Sequence, residues 1–137
     1  MKKIYFAGSI RGGRGEAGIY SSIVDELTKY GTVLTEHVGS DDAESSEHLS
    51  DKEIHDRDMD WLLGSDILVA EVTTPSLGVG YEIGRAIEHG IPTACLFRIE
   101  NAVSLSAMIG GSTELEVFEY RDIKDVSTVL KRIFQAT

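Results

Sequence analysis

The stretch DILVAEVTTPSLGVGYEIGRA, residues 66–86, decides the fold. Its first part, residues 66–72, is a near-continuous apolar run of the kind found in strands that are buried on both faces. A polar turn follows, after which apolar residues recur at helical spacing, at Val79, Ile83, Ala86 and Ile87. A buried strand that leads directly into an amphipathic helix predicts one βα unit of a parallel sheet.

The same alternation continues in both directions from this stretch. Apolar runs predict strands at 3–9, 32–38, 66–72, 92–99 and 114–120. Helical periodicity predicts helices around 19–27, 51–65, 79–90 and 123–134, with a short helix or loop at 102–111. Ser50 and Glu53 have the spacing of a capping box, Gly31 is expected to end the first helix, and Gly90 with Pro92 is expected to close the third.

Strands that alternate with helices predict an α/β fold. We expect a mostly parallel five-stranded sheet with helices on both faces, a Rossmann-like or flavodoxin-like three-layer sandwich. The length of 137 residues suits a single domain over 1–137. The polar, acidic segment 39–50 fits no periodicity and is expected to be a loop, either a lid or a solvated surface segment.

Charge and cysteine content limit the partners and the compartment. The formal net charge of −10 disfavours nonspecific binding to nucleic acid polymers or anionic membranes. The apolar run near the N-terminus is too short for a signal peptide or a membrane span. The lone cysteine, Cys95, cannot form an internal disulfide and is expected to be a small buried residue. Together these features predict a cytoplasmic protein.

Two carboxylates are candidates for chemistry. Asp58 completes an apolar stripe with Ile54, Trp61 and Leu62, so it is expected on the covered side of its helix. It is either a satisfied buried aspartate, with a partner such as Arg57, or a catalytic carboxylate with a shifted pKa. Glu82 is expected in the first turn of its helix, where the helix dipole favours the ionised form. It is either an ordinary first-turn glutamate or a nucleophile.

Two carboxylates that border one cleft are typical of glycoside chemistry, in which one attacks the anomeric carbon and the other handles protons. They could instead hold Mg²⁺, but no third acidic position converges on them, and we expect neither a metal nor a cofactor. The four histidines lack the spacing of a zinc site. His37 ends the second predicted strand, where it could contact a ligand.

The segment GSIRGGR, residues 8–14, is a plausible phosphate cradle at a strand-to-helix turn. It offers a hydroxyl, two guanidinium groups and glycine backbone N–H groups, from Ser9, Arg11, Gly12, Gly13 and Arg14. It matches neither the dinucleotide fingerprint nor the P-loop. Ser76 and Ser106 are further hydroxyls near helix starts, where each serves as a helix cap or as a phosphate ligand.

Five motifs, in this order, resemble the 2′-deoxynucleoside 5′-phosphate N-hydrolases of the nucleoside 2-deoxyribosyltransferase superfamily. They are IYFAGSIRGGR, GTVLTEHV, HDRDMDWL, AEVTTPSLGVGYEIGRA and CLFR followed by LSAMI. The resemblance extends over nearly the whole chain, with gaps mainly in the acidic segment 39–50. The resemblance implies cleavage of the N-glycosidic bond of a deoxynucleoside monophosphate, with the free base and 2-deoxyribose 5-phosphate as products.

The resemblance also implies roles for individual residues. Glu82 would be the nucleophile that forms a deoxyribosyl-enzyme ester, Asp58 the acid/base, and Tyr5 a neighbour of the sugar and the carboxylates. Substrate-binding roles are implied for Ser9, Ile10, Arg11, Gly12, Gly13, Arg14, His37, Ser76, Gly78, Ser106 and Met108. In the family the counterpart of Ser106 comes from the neighbouring subunit, so a homodimer with composite sites is implied.

Three alternatives remain open. The chain could be a deoxyribosyltransferase that moves the sugar between bases, although a bare nucleoside offers no phosphate to the predicted cradle. It could be a ribonucleotide N-hydrolase, because Tyr5 could favour or exclude a 2′-hydroxyl. It could also be a nucleotide sensor without activity, which the presence of both Glu82 and Asp58 disfavours. The segment 39–50 would contact the base, and its sequence leaves the base preference open.

Overall fold

The computed structural model describes residues 1–9, 14–34, 49–99 and 104–135. In these ranges strands and helices alternate in the order β1 (Lys2–Ala7), α1 (Arg14–Leu27), β2 (Gly31–Leu34), α2 (Asp51–Leu63), β3 (Ile67–Glu71), α3 (Leu77–Glu88), β4 (Thr93–Arg98), α4 (Ala107–Gly110), β5 (Glu116–Tyr120) and α5 (Ile123–Gln135). This is the element order that the sequence predicts.

The strands of the described part of the chain form one parallel sheet in the order β2-β1-β3-β4-β5. Tyr5 of β1 is paired with Leu34 of β2 on one side and with Leu68 of β3 on the other. The chain therefore winds outward from β1 in one direction and from β3 in the other. In sheets of this kind ligands bind at this reversal, beyond the carboxyl ends of β1 and β3.

Helices cover both faces of the sheet. Alternate residues of every strand point to opposite faces, so each strand contributes side chains to both sets of contacts. One face packs against α1 and α5 through strand residues such as Phe6, Val69 and Leu96. The other face packs against α2 and α3 through Tyr5 and Leu68, among others. The predicted three-layer α/β sandwich is confirmed, and the sheet is wholly parallel among the described strands.

The second strand and the glycine before it differ from the prediction. Helix α1 ends at Leu27, and Gly31 is the first residue of β2 instead of the end of the helix. A Cβ at Gly31 would lie 2.3 Å from the carbonyl oxygen of Lys2, so the close approach of β1 requires a glycine here. Strand β2 ends at Leu34, and the rest of the predicted strand, 35–38, lies outside the described residues.

The helix ends largely follow the predicted signals. Ser50 and Glu53 form the predicted capping box at the start of α2. Gly90 has a φ of 72° just after α3, which confirms that it closes this helix. Helix α3 begins earlier than predicted, at Leu77, because Ser76 is its N-cap. Other bounds shift slightly: β1 ends at Ala7, α2 at Leu63, and β5 starts at Glu116.

Cys95 lies in β4 with no exposed surface, as predicted for a small core residue. Burial raises the pKa of its thiol to about 12, so the thiolate is disfavoured at physiological pH. Within the described ranges, no helix has the length and apolar character needed to cross a membrane. The acidic segment 39–50 lies outside the described residues, apart from its last two positions.

Candidate active site

A cleft of about 500 Å³ opens at the carboxyl ends of β1 and β3. The end of β1, one side of α2 and the first turns of α3 line it. The predicted site residues that line it are Tyr5, Ser9, Asp58, Ser76, Gly78 and Glu82. Residues that are far apart in the sequence are thus brought into one cavity, at the position where parallel α/β sheets bind ligands.

Glu82 faces this cleft from the second turn of α3. The sequence analysis placed it in the first turn, and that placement is wrong because the helix begins at Leu77. The expectation that the ionised form of Glu82 is favoured is also wrong, because burial is the largest influence on its pKa. Burial raises the pKa of Glu82 to about 7, and the nearby charge of Asp58 adds to this increase. A carboxyl with such a pKa changes protonation near neutral pH, as catalytic groups often do.

Tyr5 is the hydrogen-bond donor to Glu82. It is a buried residue of β1, and its hydroxyl donates to Oε2 of Glu82. This hydrogen bond opposes the effect of burial and lowers the pKa of Glu82. Burial, together with the Glu82 charge, raises the pKa of Tyr5 above its usual value. Tyr5 therefore stays protonated and remains a hydrogen-bond donor to Glu82.

Asp58 lies on the cleft side of α2 with 21% of its side chain exposed. The buried positions of this helix are Met59 and Leu62, so Asp58 faces the cavity and not the core. Its Oδ1 accepts a hydrogen bond of 3.1 Å from Nε of Arg57, the partner that the sequence suggested. The guanidinium of Arg57 also lies 5.0 Å from the ring centroid of Trp61, which restricts its orientation.

The two serines of the predicted phosphate site lie at the same cleft. Ser9 is buried, and its backbone N–H donates to the hydroxyl of Tyr20 at 3.2 Å. Ser76 is the N-cap of α3, and its Oγ accepts from the backbone N–H of Val79 at 3.3 Å. A capping hydroxyl accepts with its oxygen and keeps its hydrogen for another acceptor. Ser76 can therefore cap the helix and donate to an anion at once.

Other predicted binding residues can be placed only in part. Arg14 is the first residue of α1. Ile10, Arg11, Gly12, Gly13 and His37 lie outside the described residues.

Ser106 and Met108 do not line the cleft of their own chain. They line a groove of about 820 Å³ between α3 and α4. Ser106 is the N-cap of α4 and accepts from the backbone N–H of Met108 at 3.3 Å. Leu77 and Met108 expose 97% and 83% of their surface beside this groove. The groove and the cleft share Ser76, so the two cavities adjoin.

Glu71, at the end of β3, is a buried carboxylate that the sequence analysis did not single out. It has no exposed surface. It accepts hydrogen bonds from the backbone N–H of Thr73 at 2.7 Å, from the Thr73 hydroxyl at 2.9 Å, and from the hydroxyl of Tyr120. The backbone N–H of Arg98 donates to the same Thr73 hydroxyl at 2.8 Å. These bonds tie the ends of three strands to the loop that leads to Ser76.

A second group that the sequence analysis missed lies at the mouth of the cleft. His55 of α2 and Tyr81 of α3 line the cleft and are hydrogen-bonded to each other, with 2.8 Å between Nε2 and the hydroxyl oxygen. The only sequence signal was proximity, because each lies within one helical turn of a candidate carboxylate. No group of three or more histidine, cysteine or acidic residues in the described ranges is arranged to hold a metal ion.

Comparison with known proteins places the chain in a family. The family model described as nucleoside 2-deoxyribosyltransferase matches residues 4–121. A protein of Nematostella vectensis is 51% identical over 97% of this chain and 94% of its own length; its name assigns it provisionally to the 2′-deoxynucleoside 5′-phosphate N-hydrolases. The 5-hydroxymethyl-dUMP N-hydrolase of Esox lucius is 50% identical over 96% of this chain and 95% of its own length.

Among solved structures, the CMP N-glycosidase of Clostridium botulinum has a TM-score of 0.71 at 18% identity, covering 96% of this chain and 99% of that one. At that identity the likeness concerns the fold, and it agrees with the parallel three-layer sandwich. The family model and the relatives at about half identity confirm the resemblance that the motifs predicted. The chain belongs to the nucleoside 2-deoxyribosyltransferase family.

Proposed function

We propose that this protein is an N-glycosidase that hydrolyses 2′-deoxynucleoside 5′-monophosphates to the free base and 2-deoxyribose 5-phosphate. The observation that carries the proposal is the cluster of Tyr5, Asp58 and Glu82 in a cleft that Ser9 and Ser76 also line. The names of the relatives at about half identity support the same reaction. We assign the activity to one domain that spans residues 1–137.

In the proposed mechanism the carboxylate of Glu82 attacks C1′ of the sugar. The bond between C1′ and the base nitrogen breaks, and Asp58 gives a proton to the departing base. Asp58 then takes a proton from a water molecule that attacks C1′, which releases the sugar phosphate and restores Glu82. A 2′-deoxy sugar lacks an electron-withdrawing hydroxyl next to C1′, so the positive charge that builds up there is better tolerated.

The phosphate is proposed to bind at the carboxyl ends of β1 and β3. Ser9 and Ser76 lie there, and the start of α3 adds backbone N–H groups. Sequence position adds Ile10, Arg11, Gly12, Gly13 and Arg14 to this end of the site. A local set of donors of this kind allows a chain with a net charge of −10 to bind an anion. Binding the phosphate away from the reacting bond also holds C1′ against Glu82.

The proposed first substrate is 5-hydroxymethyl-dUMP, the nucleotide after which several relatives are named. Liquid chromatography of the purified protein with this nucleotide, the four common deoxynucleoside monophosphates, their ribo counterparts and bare deoxynucleosides tests the assignment. We expect free base from the deoxy monophosphates, most rapidly from 5-hydroxymethyl-dUMP. Absence of base release from every deoxy monophosphate would refute the proposal.

The covalent intermediate is tested separately. Rapid acid quenching followed by intact-protein mass spectrometry should detect a 2-deoxyribosyl 5-phosphate adduct, and peptide mapping should locate it on Glu82. Glu82→Gln is the matched control, because it keeps the shape of the side chain and lacks the attacking oxygen anion. An adduct that persists in this variant would place the nucleophile elsewhere.

The family name favours a second candidate, transfer of the deoxyribosyl group to another base. A free base added to the assay would then appear as a new nucleoside or nucleotide. We expect water to remain the acceptor. Base exchange that is faster than hydrolysis would identify the protein as a transferase instead.

We further propose a homodimer in which Ser106 enters the partner's cleft. Support comes from the position of Ser106 in an apolar groove that adjoins the cleft, and from the exposure of Leu77 and Met108 beside it. Apolar surface of this kind is typical of an interaction site. Analytical ultracentrifugation tests the assembly.

Complementation tests which cleft receives Ser106. Glu82→Gln and Ser106→Ala chains carrying different tags are co-expressed, and the mixed dimer is isolated. If Ser106 acts across the interface, the mixed dimer has one intact site and is more active than either parent dimer. If Ser106 acts within its own chain, both sites of the mixed dimer are defective and the gain is absent.

A further inference from the structure

A chain of hydrogen bonds crosses the mouth of the cleft from α3 to α2. Nη1 of Arg85 lies 2.7 Å from the hydroxyl oxygen of Tyr81, and that oxygen lies 2.8 Å from Nε2 of His55. On the far side of the imidazole ring, Nδ1 of His55 lies 2.9 Å from Oδ1 of Asp56. None of these four residues has a role in the mechanism above.

One assignment of hydrogens satisfies every donor in this chain. A guanidinium only donates, so the Tyr81 oxygen accepts from Arg85. The hydroxyl hydrogen of Tyr81 is then available to Nε2 of His55. A neutral imidazole with Nε2 as the acceptor carries its hydrogen on Nδ1, where the carboxylate of Asp56 accepts it. Every donor in the chain thus meets an acceptor when His55 is the neutral Nδ1–H tautomer.

The tyrosine is held in place from its own helix. Arg85 follows Tyr81 by one helical turn, and the guanidinium carbon lies 5.6 Å from the ring centroid of Tyr81. The same guanidinium therefore contacts both the ring face and the hydroxyl. This contact restricts the rotamers of Tyr81 and directs its hydroxyl toward α2, although 47% of the residue surface is exposed.

The bridge connects the two helices that carry the candidate carboxylates. Tyr81 directly precedes Glu82 in α3, and His55 lies one turn before Asp58 in α2. Below the bridge the helices share an apolar cluster that includes Met59 and Ile83. Apolar contacts are non-directional and tolerate small displacements, whereas a hydrogen bond is directional. The bridge is therefore a directional contact that can fix the orientation of one helix relative to the other.

We propose that the His55–Tyr81 hydrogen bond is a positioning device that holds α2 and α3 at the separation that Asp58 and Glu82 require. The proposal rests on the function proposed above. In glycosidases of this type the carboxyl separation of about 5 Å determines whether the second group can attack the sugar. A misplacement of about 1 Å can reduce a rate by as much as 10²-fold.

The test compares Tyr81→Phe with wild type in steady-state kinetics on a deoxynucleoside monophosphate. Loss of the bridge should lower kcat by about 5- to 30-fold while KM changes less than about threefold, because orientation and not binding is lost. Tyr30→Phe is the matched control, since Tyr30 stacks on Phe134 away from the cleft. It should leave both constants unchanged.

His55 supplies the second arm of the test. His55→Gln keeps an amide oxygen near the position of Nε2, so it should retain more activity than His55→Leu. The double variant His55→Leu with Tyr81→Phe should be no worse than the more impaired single variant, because both remove the same bond. Losses that multiply, or a raised KM with unchanged kcat, would indicate separate substrate contacts and would overturn the proposal.

A spectroscopic measurement tests the bridge without any turnover. ¹⁵N NMR should show the neutral form of His55 as the Nδ1–H tautomer in wild type. This preference should weaken in Tyr81→Phe. A dominant Nε2–H form in wild type would overturn the proposed bridge. Failure of wild type to release any base would overturn the proposed function, whereas an active wild type with an unimpaired Tyr81→Phe variant would overturn the positioning role alone.

Discussion

Glu71 and Glu82 lie on either side of one loop, and their surroundings differ in a way that separates support from chemistry. Glu71 has no exposed surface and accepts from Thr73 and Tyr120 at the sheet end. Glu82 faces a cavity and, in the described part of the chain, accepts only from Tyr5. A buried carboxylate supplied with donors fastens its neighbours, whereas one with a single donor and an open cavity retains the capacity to react.

The largest difference between the two glutamates should be seen in turnover. Glu82→Gln removes the attacking carboxylate and should lower kcat on the order of 10³-fold or more. Glu71→Gln leaves the cleft groups in place and should retain most of the activity. Chromatographic release of base measures both. A ligand-induced rise in melting temperature in Glu82→Gln would show that binding survives, and substantial activity in that variant would contradict the assigned role.

The two variants should rank in the opposite order in stability, with Glu71→Gln the more destabilised. Glu71→Gln replaces one acceptor oxygen by an NH₂ group among the Thr73 and Tyr120 donors, and should reduce the free energy of unfolding by about 2 kcal/mol. Urea denaturation measures the loss. Glu71→Leu removes the acceptor altogether and should be less stable still. An unchanged midpoint in Glu71→Gln would mean that its hydrogen bonds do not fasten the strand ends.

The pH dependence of catalysis should follow Glu82. Attack requires the ionised carboxylate, so the acidic limb of the kcat/KM profile should have its midpoint near pH 7, the pKa of Glu82 in the empty cleft. Tyr5→Phe removes the hydrogen bond that lowers this pKa, so the acidic limb should move to higher pH. Rate profiles of both proteins between pH 5 and 9 measure the shift. A shift to lower pH would contradict the assigned influence of Tyr5.

The stability of the Glu82→Gln variant should depend on pH differently from that of wild type. The pKa of Glu82 is raised from 4.5 to about 7 in the folded protein, so between these values the folded state binds a proton that the unfolded state has released. Wild type should therefore lose stability as the pH rises through this window, and the variant should not. The difference in unfolding free energy should grow in favour of Glu82→Gln from pH 4.5 to 7.5. A growing advantage for wild type would contradict the raised pKa.

Sequence patterns predicted the fold well, because its signals are local. The run at 66–72 appears as the buried strand β3, and Ser50 with Glu53 forms the expected cap. Local signals also mislead where steric contacts between strands determine which residue type is required. Gly31 was expected to end a helix, yet it begins β2, where a glycine is required because the Lys2 carbonyl leaves no room for a Cβ. The start of α3 was missed because Leu77 is almost fully exposed and breaks the apolar periodicity.

The cleft was predictable in position and less so in chemistry. Ser9, Ser76 and Glu82 each come shortly after a predicted strand, and the carboxyl ends of parallel strands meet at one edge of the sheet. The helical stripe marked Asp58 as unusual. The raised pKa of Glu82 depends on burial against other elements, and its partner Tyr5 is 77 positions away in the chain. The His55–Tyr81 bridge likewise exists only once α2 and α3 have packed. Such effects depend on tertiary contacts and produce no periodic pattern in the sequence.

The pairing of β1 with β3 has a consequence for how activity is acquired during folding. Their parallel register, with Tyr5 opposite Leu68, closes a long loop that contains α1, β2 and α2. Closing long loops is entropically unfavourable and slow compared with forming local helices. Helices can therefore form before any species has the Tyr5–Glu82 contact. In refolding experiments, recovery of activity should coincide with the final cooperative phase and should lag behind the recovery of helical circular dichroism.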